Sequence, residues 1–354
     1  MGNVSTSNEL NLSGPRMPGT PTTMRVWRVT EPGPLAGNPV APGSAPVPEP
    51  AIDELLVRVL ACGVCRTDLH VTMGDLPVHR EHVIPGHEVI GEVVAGGSAT
   101  STPIGSRVGI SWLRRTCRTC RFCITGAENL CQESEYTGWD SDGGFAEFAT
   151  VPEDFAVALP EQYSDLEAAP LLCAGVSAYR ALNLADLPEG GVVGIYGFGG
   201  SGHIAAQLAL ARGARVHVMT RRTDAMELAI ELGASSAQGV TDPPPEPLDA
   251  ALLFPPVGDL MLPALQALVP GGILVLPTIY LPDIPAMDYH RDLFWEKQIR
   301  SVTANTLDDA REFMDYVTAH PLRVTANKYS LDEADKALRD LKGGRFTGAA
   351  VLVP

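Results

Sequence analysis

Positive charge is scarce in this chain. Its 354 residues carry 26 Lys and Arg against 42 Asp and Glu, a formal net charge of −16 at pH 7. Binding to nucleic acid or to an anionic membrane surface relies on clustered basic side chains that release counterions or meet headgroups, so both partners are argued against. No run of residues is long and apolar enough to span a bilayer, and no internal repeat is visible. Residues 1–23 contain neither an apolar stretch nor a basic cluster of the kind that marks a secretory leader; they are rich in Ser, Thr, Asn, Gly and Pro and are expected to form a disordered extension before Met24. The seven cysteines are odd in number and too tightly spaced for a secreted disulfide framework, which points to reduced thiols holding metal in a cytoplasmic setting.

What is present suits two domains. With 45% apolar residues, the chain is long enough to bury two cores. From Met24 to about Val151, short β-like runs are broken by Pro and Gly: Met24 to Val29, Leu55 to Leu60, His87 to Ala95, Arg107 to Trp112 and Phe145 to Val151. Pro39 to Pro50 reads as a proline-rich connector, and the segment carrying Cys62, Cys65 and Asp68 as a turn-rich loop at a strand end. After Cys173 the texture changes. Helical stretches at Val176 to Leu184, His203 to Arg212 and Asp224 to Leu232 alternate with strands at Gly191 to Tyr196 and Arg215 to Met219. Further strands are expected at Asp249 to Phe254, Gly272 to Pro277 and Ala349 to Val353, and helices at Leu307 to His320 and Leu331 to Leu341. The alternation predicts a parallel sheet covered by helices, an α/β class.

Cys117, Cys120, Cys123 and Cys131 follow the pattern C-x2-C-x2-C-x7-C. Zinc takes four tetrahedral ligands, and thiolates two residues apart can both turn inward on one tight loop, so this cluster reads as a closed structural site. Its affinity is then folding free energy for the lobe that carries it. The surrounding Arg114, Arg115, Arg118 and Arg121 give it a polar setting unlike that of core thiols. A second site can be assembled from Cys65, His87 and Cys173, the Cys2His set of a zinc that keeps one open position and polarises an alcohol or carbonyl oxygen. Each of these residues alone also suits ordinary packing, and Cys62 is left as a core cysteine.

Gly197-Phe198-Gly199-Gly200-Ser201-Gly202 follows a predicted strand and opens a helix. Gly197, Gly199, Gly200 and Gly202 there permit a tight turn and close approach of backbone to a pyrophosphate at the helix N-terminus. At the end of the next strand, an acidic residue would hydrogen-bond the ribose diol of NAD; Thr220, Arg221 and Arg222 stand there instead, which favours the 2′-phosphate of NADP(H).

Taken together, the residues resemble the zinc-dependent medium-chain alcohol dehydrogenases over nearly all of Met24 to Pro354. The resemblance is carried by Cys62-Gly63-Val64-Cys65-Arg66-Thr67-Asp68-Leu69-His70, by Gly86-His87-Glu88-Val89-Ile90-Gly91, by Leu172-Cys173-Ala174-Gly175 and by the four-cysteine lobe between the last two. It implies two zincs per chain: a catalytic one on Cys65, His87 and Cys173, with Glu88 near enough to exchange as a ligand, and a structural one on the four cysteines. It implies Thr67 as the hydroxyl that takes the substrate proton and His70, near the surface, as the imidazole that receives it through the cofactor ribose. Asp68 is implied as the partner of the His87 ring and Trp112 as a substrate-pocket aromatic. The implied architecture is a GroES-like, mostly β catalytic domain at 24–175, a Rossmann cofactor domain at 176–310 and a C-terminal segment at 311–354 that returns to the first domain. The implied reaction is reversible hydride transfer between a small alcohol, or its aldehyde or ketone, and NAD(P). Ala349 stands where many members carry a pyrophosphate-binding arginine, and nearby Arg345 is the candidate substitute. A polyol dehydrogenase is disfavoured because those relatives commonly replace the third cysteine ligand. A non-catalytic NADPH-sensing protein is disfavoured because it has no need of Thr67, His70 and an open zinc position. The family implies a homodimer or homotetramer, for which the apolar stretch Gly272 to Tyr280 could supply an interface strand or could equally be buried within the monomer.

Overall fold

A computed structural model of the chain describes residues 17–354. The extension expected over residues 1–23 lies outside the described residues as far as residue 16; beyond it, Met17 donates its backbone N–H to the Val94 carbonyl at 2.7 Å.

The first lobe is organised on strand Glu54–Val64, whose Leu55, Leu56, Val57, Ala61 and Cys62 are fully buried. It pairs antiparallel with Glu88–Gly96 along one edge and with Phe148–Pro152 and Ala349–Val353 along the other. Arg107–Ile110 and Ala156–Ala158 extend the sheet on one side and Ala326–Ser330 on the other. The last strand of the described chain therefore completes the first lobe, which explains why an isolated apolar run follows the helical stretches.

Two expectations for this lobe need correction. Strand Val40–Pro46 pairs antiparallel with Thr23–Val29 where a connector was expected. A two-stranded sheet leaves edge positions whose N–H makes no ladder bond, and Pro42 and Pro46 are tolerated there. The cysteine-bearing segment after Leu60 is not a loop either: Cys62 lies inside Glu54–Val64, and Asp68 inside helix Arg66–Met73.

The second lobe is a six-stranded, wholly parallel sheet in the order Ser236–Gln238, Arg215–Met219, Val192–Tyr196, Leu248–Leu253, Leu268–Leu276, Gln298–Ser301. Numbered along the chain this is the 3-2-1-4-5-6 order of the doubly wound dinucleotide-binding fold. Helices cover both faces, so central strands are apolar throughout; all five residues of Val192–Tyr196 are buried. The apolar stretch at Gly272 to Tyr280 is for the most part strand Leu268–Leu276, which lies between two neighbours inside this sheet and is not free to pair with another chain. Helix Ala174–Leu184 runs across the expected 175/176 boundary and helix Leu307–Ala319 across 310/311. The helix expected at Leu331 to Leu341 is split into a 3-10 turn, Leu331–Glu333, and helix Ala334–Gly343.

Candidate active site and metal centres

Strand Glu54–Val64 delivers the chain directly to the N-terminus of helix Arg66–Met73, with Cys65 as its cap. The Cys65 thiol accepts the Thr67 N–H at 3.2 Å, and Asp68 reaches back to accept the Cys65 N–H at 2.8 Å, so the helix closes its own capping box around the first ligand. The other Asp68 oxygen accepts the Gly86 N–H at 2.9 Å and lies 3.2 Å from His87 Nδ1, within ion-pair range though not aligned as a hydrogen bond. One buried carboxylate thus ties the turn bearing Cys65 to the segment bearing His87, just ahead of strand Glu88–Gly96. Gly86 is required at φ 99°, since a Cβ there would come within 2.6 Å of Phe145 and 2.8 Å of the Cys62 sulfur.

The structure brings Cys65, His87, Glu88 and Cys173 together, with one ligand atom from each lying within 4.8 Å of the others. Cys65 Sγ is 3.2 Å from His87 Nε2. Zinc–sulfur and zinc–nitrogen bonds of about 2.3 and 2.0 Å place tetrahedral neighbours roughly 3.3–3.8 Å apart, so the set fits zinc. Its electrostatics fit a cation as well. Burial opposes ionisation of Cys65, but hydrogen bonding with Cys173 and the positive charge of His87 outweigh it and hold the thiol well below its usual range. Burial first, and then the Cys65 negative charge, push the Glu88 carboxyl well above the carboxylate range, and Glu88 Oε1 has no hydrogen-bond partner. A dication beside these groups relieves both penalties. Cys173 arrives as the N-cap of helix Ala174–Leu184.

Trp112 is buried and meets the His87 ring edge-on at 4.8 Å, backed by Tyr136 at 5.0 Å and Trp139 at 5.8 Å. Thr67 and His70 are one turn apart on the same helix. Contrary to the expected position near the surface, His70 is only 7% exposed; its Nδ1 lies 2.9 Å from Asp75, and its ring is 5.0 Å from Tyr280. Asp75 and Tyr280 carry no motif that marks them in the sequence.

The four-cysteine lobe projects between strands Leu113–Arg115 and Glu135–Tyr136. Its sulfurs approach at 3.5 Å for Cys120–Cys123 and Cys131–Cys117 and at 3.9 Å for Cys117–Cys123, close to the roughly 3.8 Å edge of a zinc tetrathiolate. Backbone N–H groups of Thr119 and Cys120 aim at Cys117 and lower its thiol to about 6. The neighbouring arginines are anchors and not merely a polar setting: Arg114 is 5% exposed and bound to Glu54 at 2.6 Å, Arg115 pairs with Asp53 and Arg118 with Asp154.

Across the cleft, Gly197 turns out of strand Val192–Tyr196 at φ 84°, and helix Gly200–Ala211 starts three residues earlier than expected because the glycine run is its first turn. A Cβ on Gly202 would fall 2.2 Å from the Gly197 carbonyl, whereas one on Gly199 would meet nothing within 4 Å. The first glycine pair packs helix against strand; Gly199 faces open space of the kind a pyrophosphate needs. A Cβ on Gly200 would stand 3.7 Å from that of Ala349, while Arg345 is engaged with Asp340 at 2.9 Å. Beyond Arg215–Met219, Thr220 is buried. Arg222 is committed to Asp224, whose carboxylate also accepts the Thr347 hydroxyl at 2.6 Å. Arg221 makes no ion pair among the described residues. Arg66 has none either, and its guanidinium is lowered by burial and then by the charge of Arg221. Both arginines are exposed at this end of the cleft.

Residues 51–161 match the alcohol dehydrogenase GroES-like domain. Over 342 residues the chain is 59% identical to a probable alcohol dehydrogenase, AdhA, of Mycobacterium tuberculosis (strain CDC 1551 / Oshkosh), a match covering 95% of this chain and 99% of that one. A cinnamyl alcohol dehydrogenase from Sorghum bicolor superposes with a TM-score of 0.82 at 28% identity, over 94% of this chain and 97% of that chain. A cobalt- and zinc-bound thermostable alcohol dehydrogenase from Pyrobaculum aerophilum does so with a TM-score of 0.83 at 26% identity, over 94% and 100%.

Proposed function

Because this chain belongs to the zinc-dependent medium-chain alcohol dehydrogenase family, we propose that it interconverts a small alcohol and its aldehyde or ketone at the Cys65, His87 and Cys173 site, with NADP(H) as the preferred cofactor. The observation that carries the reading is the convergence of those three residues and Glu88 within 4.8 Å. A zinc bound there supplies the Lewis acidity that makes a hydroxyl acidic near neutral pH, and the nicotinamide supplies the hydride acceptor.

The chain's own residues do the rest. Asp68 accepts from the Cys65 and Gly86 backbones and lies beside the His87 ring, so one carboxylate orients both ligand-bearing segments. Trp112 walls the His87 side and excludes water from the reacting carbon. The Thr67 oxygen takes the substrate proton as its own hydroxyl proton passes on, and the His70 ring takes up the relayed proton. The glycine run from Gly197 to Gly202 admits the pyrophosphate, and Arg221, with Arg66 opposite, meets the 2′-phosphate; Arg222 is held by Asp224 and acts as a support. Four free thiols in the lobe bind a second, structural zinc, and unoxidised thiolates suit a cytoplasmic setting.

A homo-oligomer is part of the reading. Ile279, Ile284, Met287, Tyr289, Phe294 and Trp295 are between 39% and 66% exposed, just ahead of edge strand Gln298–Ser301. An apolar patch beside an open edge is a surface that a second copy covers.

The test is steady-state oxidation of a panel from ethanol to benzyl and cinnamyl alcohol with NAD and NADP in parallel, before and after zinc chelation. Turnover that chelation abolishes and zinc restores is expected. Absence of turnover on every alcohol and matching aldehyde, with two zincs bound, would sink the proposal.

A further inference from the structure

His203 is fully buried just after the glycine run, and neither the metal centres nor the proton relay uses it. Its ring touches both lobes. Nε2 accepts the Thr325 N–H at 3.2 Å, and Nδ1 lies 3.0 Å from the Gly199 carbonyl. A backbone N–H can only donate, so Nε2 is the bare nitrogen and Nδ1 the protonated one. Burial holds the imidazole below its usual range, which keeps this neutral form at working pH. Nδ1–H therefore donates to Gly199. The same carbonyl accepts the His203 backbone N–H at 3.1 Å, so one residue grips it twice. On the far side, Thr325 lies immediately ahead of strand Ala326–Ser330, and its carbonyl accepts the Ala349 N–H at 2.9 Å. Gln207, one turn further along the helix, holds the same segment: its amide donates to the Arg323 carbonyl at 2.9 Å and accepts the Arg323 N–H at 2.8 Å.

We propose that His203 is a positioning residue for cofactor binding, which orients the Gly199–Gly200 peptide and anchors it to the first lobe. The inference rests on the reading of the glycine run as the pyrophosphate site. A trans peptide is planar, with its carbonyl and N–H on opposite sides, so gripping the Gly199 carbonyl also fixes where the Gly200 N–H points. That N–H meets no acceptor among the described residues, and Gly199 beside it is exposed, with no atom within 4 Å of where its Cβ would stand. Two successive glycines would otherwise rotate freely, and ordering them would be charged against binding. With the ring in place, an oriented and unsatisfied N–H waits at a helix start, where a phosphate oxygen is favoured. The demand on it is greater because Ala349, near Gly200, brings no charge to this side of the run.

The experiment titrates the zinc-loaded enzyme and its His203→Asn, His203→Gln and His203→Leu variants with NADPH and with NADH, following nicotinamide fluorescence. Unfolding temperature, zinc content, kcat and cofactor KM are recorded for each. The asparagine amide can stand in for Nδ1–H and reach Gly199, whereas the glutamine carbonyl can stand in for Nε2 and reach Thr325. His203→Gln and His203→Leu are expected to raise the Kd of both cofactors alike, by about two- to tenfold, the worth of one hydrogen bond. The loss falls on cofactor KM rather than on kcat. His203→Asn keeps the parental Kd although it gives up the Thr325 contact and part of the unfolding temperature. Should His203→Leu fail to fold, the contrast between asparagine and glutamine still decides. Parental Kd values in His203→Gln, or equal losses in the asparagine and glutamine variants that follow their unfolding temperatures, make the ring an ordinary core residue and overturn the proposal. A parent enzyme that binds neither cofactor fails the pyrophosphate reading itself, and this inference falls with it.

Discussion

Replacing Gly63 by alanine probes the packing that seats Glu88 behind the catalytic ligands. Gly63 is paired with Glu88 on one neighbouring strand and with Val351 on the other. An added Cβ would stand 1.8 Å from Glu88 Oε2, 2.7 Å from Cδ and 2.8 Å from Cβ. Rotation about the Glu88 side-chain bonds can remove the first two contacts. The third atom is fixed to the backbone, so a strand must also shift by a few tenths of an ångström, against hydrogen-bonded neighbours on both sides. Overpacking of this kind costs about 1–3 kcal/mol. At about 2–4 °C per kcal/mol for a larger domain, the unfolding temperature falls by roughly 2–12 °C. The displaced carboxylate also leaves the donor set, so metal analysis is expected to show the catalytic zinc depleted and the four-cysteine zinc retained. In Gly63→Ala/Glu88→Ala two of the three contacts disappear, and part of the lost stability returns without the activity. An alanine variant with unchanged calorimetric unfolding and two full equivalents of zinc would refute the reasoning.

Arg221→Ala is expected to raise the KM for NADPH about tenfold, the worth of one charge-assisted hydrogen bond, while the KM for NADH changes little; equal losses on both cofactors would remove the 2′-phosphate assignment. Asp68→Asn keeps the shape of the side chain and removes the charge that holds the Cys65 turn and the His87 ring, so chelator competition should show catalytic-zinc affinity reduced about 10–100-fold, with the lobe zinc unaffected. Asp292 is a buried carboxylate held at about 2, first by its hydrogen bond to Arg291. A folded-state value below the unfolded value of about 3.9 means that its stabilisation is complete above that pH and is lost as pH falls towards about 2. Unfolding followed down that window should therefore show a shallower acid limb in Asp292→Asn than in the parent.

The sequence shows most clearly what depends on spacing along the chain. The four lobe cysteines, the glycine run after Tyr196 and the alternation of strand and helix all lie within short segments, where local geometry decides the outcome. Strand Val40–Pro46 is hidden because proline is read as punctuation, and only the pairing partner, remote in sequence, reveals that these prolines sit where no ladder N–H is needed. The pairing of Arg222 with Asp224 is local and could have been suspected from their separation of two residues. The contact of Asp224 with Thr347, 123 positions away, could not. Asp75 and Tyr280 escape notice for the same reason: one meets His70 across a fold-back about a left-handed glycine, the other reaches it from the opposite domain. Burial of Arg114 is likewise invisible, since a lone arginine in a polar run looks solvated until Glu54 arrives from 60 residues before it.

A zinc in the four-cysteine lobe would gain a structural purpose from where its loop lands. The Asn129 amide donates to the Thr303 carbonyl at 2.7 Å, and Glu128 accepts the Leu307 N–H at 2.7 Å, so the short turn ahead of Cys131 caps a helix that follows the last strand of the cofactor sheet. That helix, Leu307–Ala319, presses Phe313 onto Gly175, where a Cβ would come within 2.6 Å of the ring. Gly175 is two residues beyond Cys173, in the helix that Cys173 caps. A metal held by the four cysteines would therefore brace, through short and directional contacts, the seat of a helix that backs Cys173. Thr306 and Asp309 already close a capping box on that helix, so the bond from Leu307 to Glu128 adds an anchor between the lobe and the helix. Four metal–sulfur bonds would order the lobe side of that anchor beforehand.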